Sequence, residues 1–142
     1  MRKNDISSII EIENTVIPDA WNANKFLQSI NNKQYINLVY VDKNIVLAYL
    51  VAVSILNRYE ILKIAVARKF QQQKIASKLL QNLFWQAKKN NIAAVDLEVR
   101  EHNLAAINLY EKLGFKKVGV RKNYYFISDG YENALTYTLT LY

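Results

Sequence analysis

Apolar residues recur along the chain at two different periods, and each change of period marks a new element. Ile6, Ile9, Ile10 and Ile12 fall at near-helical spacing, which predicts a helix over residues 5–15 with Asp5 as a candidate N-cap and Pro18 beyond its end. Asn22 or Asn24 can cap a second, short helix that carries Phe26, Leu27 and Ile30. Residues 35–41 and 45–55 read as two strands of a hairpin joined through Asp42-Lys43-Asn44, and residues 59–66 as a third strand. A polar loop from Ala67 to Gln73 comes next. Ile75, Leu79, Leu83 and Ala87 then recur every fourth residue, the core-facing stripe of a helix over about 74–90.

At residues 93–99 the period drops to two, with Val95, Leu97 and Val99 on one face and Asp96 and Glu98 on the other. A helix over 104–113 comes after it, with Asn103 as N-cap and Gly114 at the C′ position where a left-handed residue is wanted. Two last strands are expected at about 115–126 and 131–141. A strand, a long helix and a strand over 59–99 make a crossover unit, so those strands are expected to be parallel neighbours. The fold class is therefore α/β: a mixed sheet with a central parallel strand pair, antiparallel hairpins at each end and helices on both faces. With no linker, repeat or low-complexity segment, residues 1–142 are expected to form one domain.

Composition narrows the chemistry. The chain has no Cys, which excludes disulfides, thiolate metal sites and a Cys nucleophile. Its single His, His102, argues against a histidine metal site or a Ser-His-Asp triad. A polar N-terminus and the lack of any apolar run near 18 residues point to a cytoplasmic protein without a membrane span. The formal charge of +7 favours an anionic ligand, although lysines spread along the chain read equally as solvated helix faces.

Two places hold candidate chemistry. The loop before the long helix ends in free helix N–H groups that suit a phosphate, yet Gln71-Gln72-Gln73-Lys74-Ile75-Ala76 contains no Gly and reads also as a solvated loop. Glu98 and Tyr110 are a carboxylate and a phenol placed to converge on one cleft as base and acid. Each also has a plain reading, Glu98 as an exposed strand carboxylate and Tyr110 as a core aromatic in stripe with Ala106 and Leu113. The crossover puts the loop and the end of the Glu98 strand at the same C-terminal sheet edge, where α/β sheets bind ligands.

From about Leu62 to Leu139 the sequence resembles the Gcn5-related N-acetyltransferases, and within them the ribosomal-protein alanine N-acetyltransferases. The matching residues are Leu62-Lys63-Ile64-Ala65-Val66, Phe70 to Ala76, Leu97-Glu98-Val99-Arg100, Asn103, Leu109 to Phe115, and Arg121-Lys122-Asn123-Tyr124-Tyr125 with Asp129-Gly130 after it. The resemblance implies acetyl-CoA as co-substrate and no metal. Ile64, Ala65 and Val66 would lie along the pantetheine, with the Val66 N–H polarising the thioester carbonyl. Gln71, Gln72, Gln73, Lys74, Ile75, Ala76 and Ser77 would hold the pyrophosphate, and Asn103 would touch the cofactor near the thioester.

The same resemblance implies Glu98 as general base and Tyr110 as the acid beside the CoA sulfur, with Trp21, Tyr124 and Tyr125 at the acceptor. The acceptor it implies is an N-terminal alanine of a small-subunit ribosomal protein (the eighteenth), which makes ribosome association an expectation. Neither DNA nor a membrane is expected as partner, and the sequence does not give the oligomeric state, for which a monomer is the default. A small-molecule amine acetyltransferase and a non-catalytic ribosome- or RNA-associated module are the alternatives. One departure stands out: Lys74 occupies the first glycine position of the family's Gln/Arg-x-x-Gly-x-Gly/Ala loop.

Overall fold

A computed structural model describes all 142 residues. A 3-10 turn at Lys3–Asp5 leads into α1 (Ile6–Val16) and α2 (Ala23–Asn31), then β1 (Tyr35–Asp42), β2 (Ile45–Ile55) and β3 (Arg58–Val66). A short 3-10 turn at Arg68–Phe70 precedes α3 (Ile75–Lys89), and β4 (Ala94–Arg100), α4 (Leu104–Lys112), β5 (Lys116–Ile127) and β6 (Gly130–Thr140) complete the chain. The six strands form one sheet in the order β1-β2-β3-β4-β6-β5, with β3 and β4 the only parallel neighbours. The fold class expected from the sequence is the one observed.

Local chemistry explains most boundaries. Asn22, not Asn24, caps α2 by accepting from Lys25 N at 3.0 Å. Asp5 does not cap α1. Its backbone is already helical and its carboxylate turns back to accept from Arg2 N at 2.6 Å, closing the 3-10 turn in front of the helix. Lys43 and Asn44 take positive φ at both central positions of the β1–β2 hairpin, the backbone of a two-residue type I′ turn.

The sheet separates two cores. On one face Leu79, Leu80, Leu83 and Ala87 of α3 pack with Val95, Leu97 and Val99 of β4 and with Tyr110 and Phe115. On the other, Ile6, Ile9, Ile12 and Phe26 of α1 and α2 pack on Tyr49, Val51 and Ala65. Leu80 and Leu83 are sealed, so truncating either to Ala costs about 2–5 kcal/mol. The second layer covers the β1–β3 half of the sheet. Asp96, Glu98 and Arg100, which alternate with the buried β4 valines and Leu97, therefore point to the uncovered part of that face.

One irregularity in β3 decides which way its second half faces. Val51 pairs with Lys63 but Ala52 pairs with Ile61, so Leu62 is an extra residue in the ladder. Tyr59 and Ile61 before this bulge face the α3 side, whereas Ala65 after it faces the α1 side. The parallel pairing of β3 with β4 stops at the same point, at Ile61 and Leu97.

Candidate active site

Past Ile61 and Leu97 the two central strands diverge, and their facing edges are open. Ala67 N donates to Leu47 O at 2.8 Å, which makes Leu47–Ala67 a hydrogen-bonded pair and Ala48–Val66 a non-bonded one. Antiparallel pairing alternates, so the N–H and C=O of Val66, and of Ile64 two residues earlier, point away from β2 into the gap. The same count on β4 starts from Glu101 N donating to Asn133 O at 3.1 Å and turns the backbone groups of Glu98 and Arg100 into the gap from the other side. The result is a V-shaped slot walled by peptide groups that no strand takes up, suited to a thin amide-bearing arm.

The loop at the mouth of this slot carries a run of free amides. No amide from Gln72 through Ser77 donates to a protein acceptor; the next, Lys78 N, closes the first helical bond to Lys74 O at 3.1 Å. Gln72 and Lys74 both have φ 62°. The bend they impose leaves these amides at the N-terminus of α3, whose dipole adds to their pull on a phosphate. The Gln71 side chain braces the loop, donating from Nε2 to Val66 O at 3.1 Å. Lys74 thus keeps the backbone conformation that a glycine would supply there, and its side chain adds a cation. Six free amides beside a slot of free peptide edges fit a pyrophosphate joined to a pantetheine arm.

Tyr110 and Glu98 reach the slot from opposite faces of the sheet. Tyr110 is buried in the α3-side core against Phe115, ring centroids 5.6 Å apart. A Schellman turn fixes it: Phe115 N donates to Tyr110 O at 3.0 Å and Gly114 N to Glu111 O at 3.1 Å, with Gly114 at φ 97°. Burial, and then the neighbouring Tyr125, push the Tyr110 phenol well above the ordinary tyrosine range, so it stays protonated. Glu98 lies on the open face, where Arg121 Nε meets its Oε1 at 2.5 Å. No hydrogen bond joins Glu98 to Tyr110.

Tyr124 and Tyr125 complete the open face. Three residues of β5, Lys122 to Tyr124, stand opposite the single residue Asn133 of β6, a bulge with Asn123 at φ 54°. It sets Tyr124 and Tyr125 edge to face at 5.1 Å. The Glu98 carboxylate, more than burial, raises the Tyr124 phenol. Burial, Glu98 and Asp19 together push Tyr125 up to about 12, with Arg100 opposing them.

The other sequence candidates have these places. Asn103 caps α4, its Oδ1 accepting from Ala106 N at 3.2 Å, which leaves its NH2 free. Trp21 packs on Phe26 at 5.4 Å and borders a hollow of about 640 Å³ with Lys25 and Tyr35. His102 is exposed, and its Nδ1 lies 3.0 Å from Glu132 Oε1.

Sequence reasoning passed over Arg121 and Arg100, which were in view only as parts of a pattern. Arg100 contacts Glu132 at 3.3 Å and Asp19 at 3.4 Å and stacks 4.2 Å over the Tyr125 ring. It also passed over Glu13 and Lys63, whose signal was a charge inside an apolar stripe in each case.

A parallel pair that splays beside the free amides of a helix N-terminus, with a phenol on one face of the sheet and a carboxylate on the other, is the arrangement of an acyl-CoA-dependent N-acyltransferase. The chain belongs to the acetyltransferase (GNAT) family, whose pattern matches residues 6–115. It is 34% identical to a [ribosomal protein bS18]-alanine N-acetyltransferase of Haemophilus ducreyi, covering 96% of this chain and 94% of that one. It is 30% identical to the enzyme of the same name from Escherichia coli, covering 96% and 99%. The crystal structure of the Escherichia coli ribosomal-protein-S18-alanine N-acetyltransferase superimposes with a TM-score of 0.92 at 30% identity, over 99% of this chain and 90% of that one.

Proposed function

We propose that this protein acetylates the α-amine of a protein N-terminus that begins with alanine, that of ribosomal protein bS18 or one like it, using acetyl-CoA. The observation that carries the reading is the run of free amides from Gln72 to Ser77 at the mouth of a slot that opens where β3 and β4 part and faces the Glu98 side. The two relatives of that name, matched over nearly the whole chain, support the acceptor. A ribosomal protein as acceptor places the reaction in the cytoplasm.

Acetyl-CoA supplies a thioester whose carbonyl carbon takes the amine. The amides of Gln72 to Ser77 hold the pyrophosphate and Lys74 adds its charge. The edges of Ile64 and Val66 pair with the pantetheine amides, and the Val66 N–H meets the charge that grows on the carbonyl oxygen. A free α-amine has pKa near 7.7–8.0, so little basicity is asked of Glu98, which receives one proton, directly or through a water, as the new N–C bond forms. Arg121 is 60% exposed, and its pair with Glu98 is of the weak, solvent-screened kind that an incoming ammonium displaces. As the C–S bond breaks, Tyr110 donates from its hydroxyl to the departing sulfur, and Asn103 touches the same end of the cofactor. Tyr124, Tyr125 and Trp21 line the acceptor side.

Incubation with acetyl-CoA and peptides that begin with alanine, alongside a polyamine and an amino sugar, tests the reading. Mass gain of one acetyl group on the peptide α-amine is expected. Acetyl-CoA binding with turnover only on the small amines would refute the acceptor. Binding of neither acetyl-CoA nor CoA would refute the cradle.

A further inference from the structure

Glu13 of α1 and Lys63 of β3 form an ion pair of 2.9 Å in which Glu13 is sealed and Lys63 is 8% exposed. Two charges taken out of water are repaid only by complete hydrogen bonding, and this pair falls short, since Glu13 Oε2 is sealed with no partner. A pair of apolar side chains would serve the core as well. The hydrogen bonds that the two groups do make all go to one place. Glu13 Oε1 accepts from Trp21 N at 2.9 Å, and Lys63 Nζ donates to Asp19 O at 2.8 Å while lying 5.6 Å over the Trp21 ring.

The β3 bulge is what puts Lys63 there. In a regular strand, with Leu62 taking its turn in the alternation, Lys63 would share the face of Ile61 and point into the α3-side core. The linker it grips, Asp19 to Trp21, in turn meets the open face of the sheet through Asp19 Oδ1, 3.4 Å from the Arg100 guanidinium that stacks on Tyr125.

We infer that Glu13 and Lys63 are positioning residues that pin Asp19 and Trp21 as one wall of the acceptor slot, opposite Tyr124 and Tyr125. The inference rests on the reading that the open face receives a peptide N-terminus. Neither residue touches the reacting atoms. Their work is to keep a linker without helix or strand at a fixed height over Arg100, so that the slot is formed before the acceptor arrives.

The test is the double variant E13L/K63M, which removes both charges together and leaves no buried ion unpaired. Wild-type turnover of an alanine-first peptide is measured first; its absence refutes the acceptor reading, on which the role of Glu13 and Lys63 rests. With turnover in hand, the double variant is expected to hold its melting temperature and its acetyl-CoA Kd while its peptide KM rises at least tenfold and kcat changes less than threefold. In a W85F background Trp21 is the sole tryptophan, and its acrylamide quenching is expected to increase in the double variant. A double variant with wild-type KM and quenching overturns the inference. E13D, which keeps the charge but withdraws the carboxylate from Trp21 N, guards against loss of folding: it is expected to raise KM severalfold, and a wild-type KM there overturns the inference equally. K63R keeps a cation with several donors and is expected to recover most of the loss.

Discussion

Lys74 offers the sharpest test of how the anion loop works. It is the N-cap of α3 and sits at φ 62°, ψ 18°, with no side-chain capping bond. A left-handed conformation costs a side-chain-bearing residue about 1–2 kcal/mol, and Gly avoids that cost. Gly also loses about 0.5–1 kcal/mol more than Ala in backbone entropy on folding. The mid-values leave K74G more stable than K74A by about 0.75 kcal/mol, which in a chain of this size raises the melting temperature by about 2–4 °C. K74A retains the strain and removes only the charge, so the pair separates backbone from side chain.

Because the native loop already holds the required conformation, K74G is expected to leave acetyl-CoA affinity within about threefold of wild type. K74A is expected to weaken it by a similar factor at low salt, with the difference shrinking as salt screens the exposed cation. Thermal unfolding and calorimetric titration read both quantities. A tenfold gain in affinity for K74G, about 1.4 kcal/mol, would show that the lysine distorts the cradle and would refute the reasoning. A K74G protein no more stable than K74A would refute the strain.

Other outcomes rest on the same geometry. Y110F is expected to lower kcat by about 100-fold or more with little change in peptide KM, and to leave stability nearly unchanged because the hydroxyl has no protein partner; steady-state kinetics and a melt check both. Since Tyr110 and Tyr125 are both raised, kcat/KM is expected to climb to a plateau near pH 8 as the α-amine loses its proton and to show no phenolic descent up to pH 10. Asp96 is the stability counterpart. Burial alone would raise its carboxyl, but hydrogen bonds from Arg58 and Thr138 outweigh that and hold it below the usual carboxylate range. A group lowered by folding contributes above its unfolded value of about 3.9 and loses that contribution as pH falls through the folded value, so D96N is expected to flatten the acid limb of stability below about pH 4.5 in a urea series.

The elements and their order were legible because each stretch has one dominant period. α3, with its four-residue stripe, and β4, with strict alternation, were predicted to within a residue or so. Asn103 and Gly114 were readable as caps because those residue types have few other uses in such positions. What escaped was register. Whether Glu98 and Tyr110 lie on the same side of the sheet depends on how α4 crosses it, and the sequence carries no mark of that crossing. The Leu62 bulge was equally hidden, because Leu62-Lys63-Ile64 reads as uninterrupted strand. Lys63 was therefore a lysine in an apolar run, with its partner fifty residues upstream in a helix whose stripe already looked complete. The left-handed backbone at Lys74 was invisible for a related reason: nothing in a lysine announces a positive φ.

The divergence of β3 from β4 gives this sheet four margins instead of two, and the inner two face each other across a gap. An outer strand margin invites any extended chain to dock and is an aggregation hazard. Margins that face inward admit only a single narrow strand-like guest, and only from the end where the anion loop stands. The gap is thus a missing strand that the molecule leaves for a ligand to supply. A guest that fills it would extend the join between β1-β2-β3 and β4-β6-β5 beyond Ile61 and Leu97, where their own pairing stops, and at a hundred times its Kd would add about 2.7 kcal/mol to the stability of the whole.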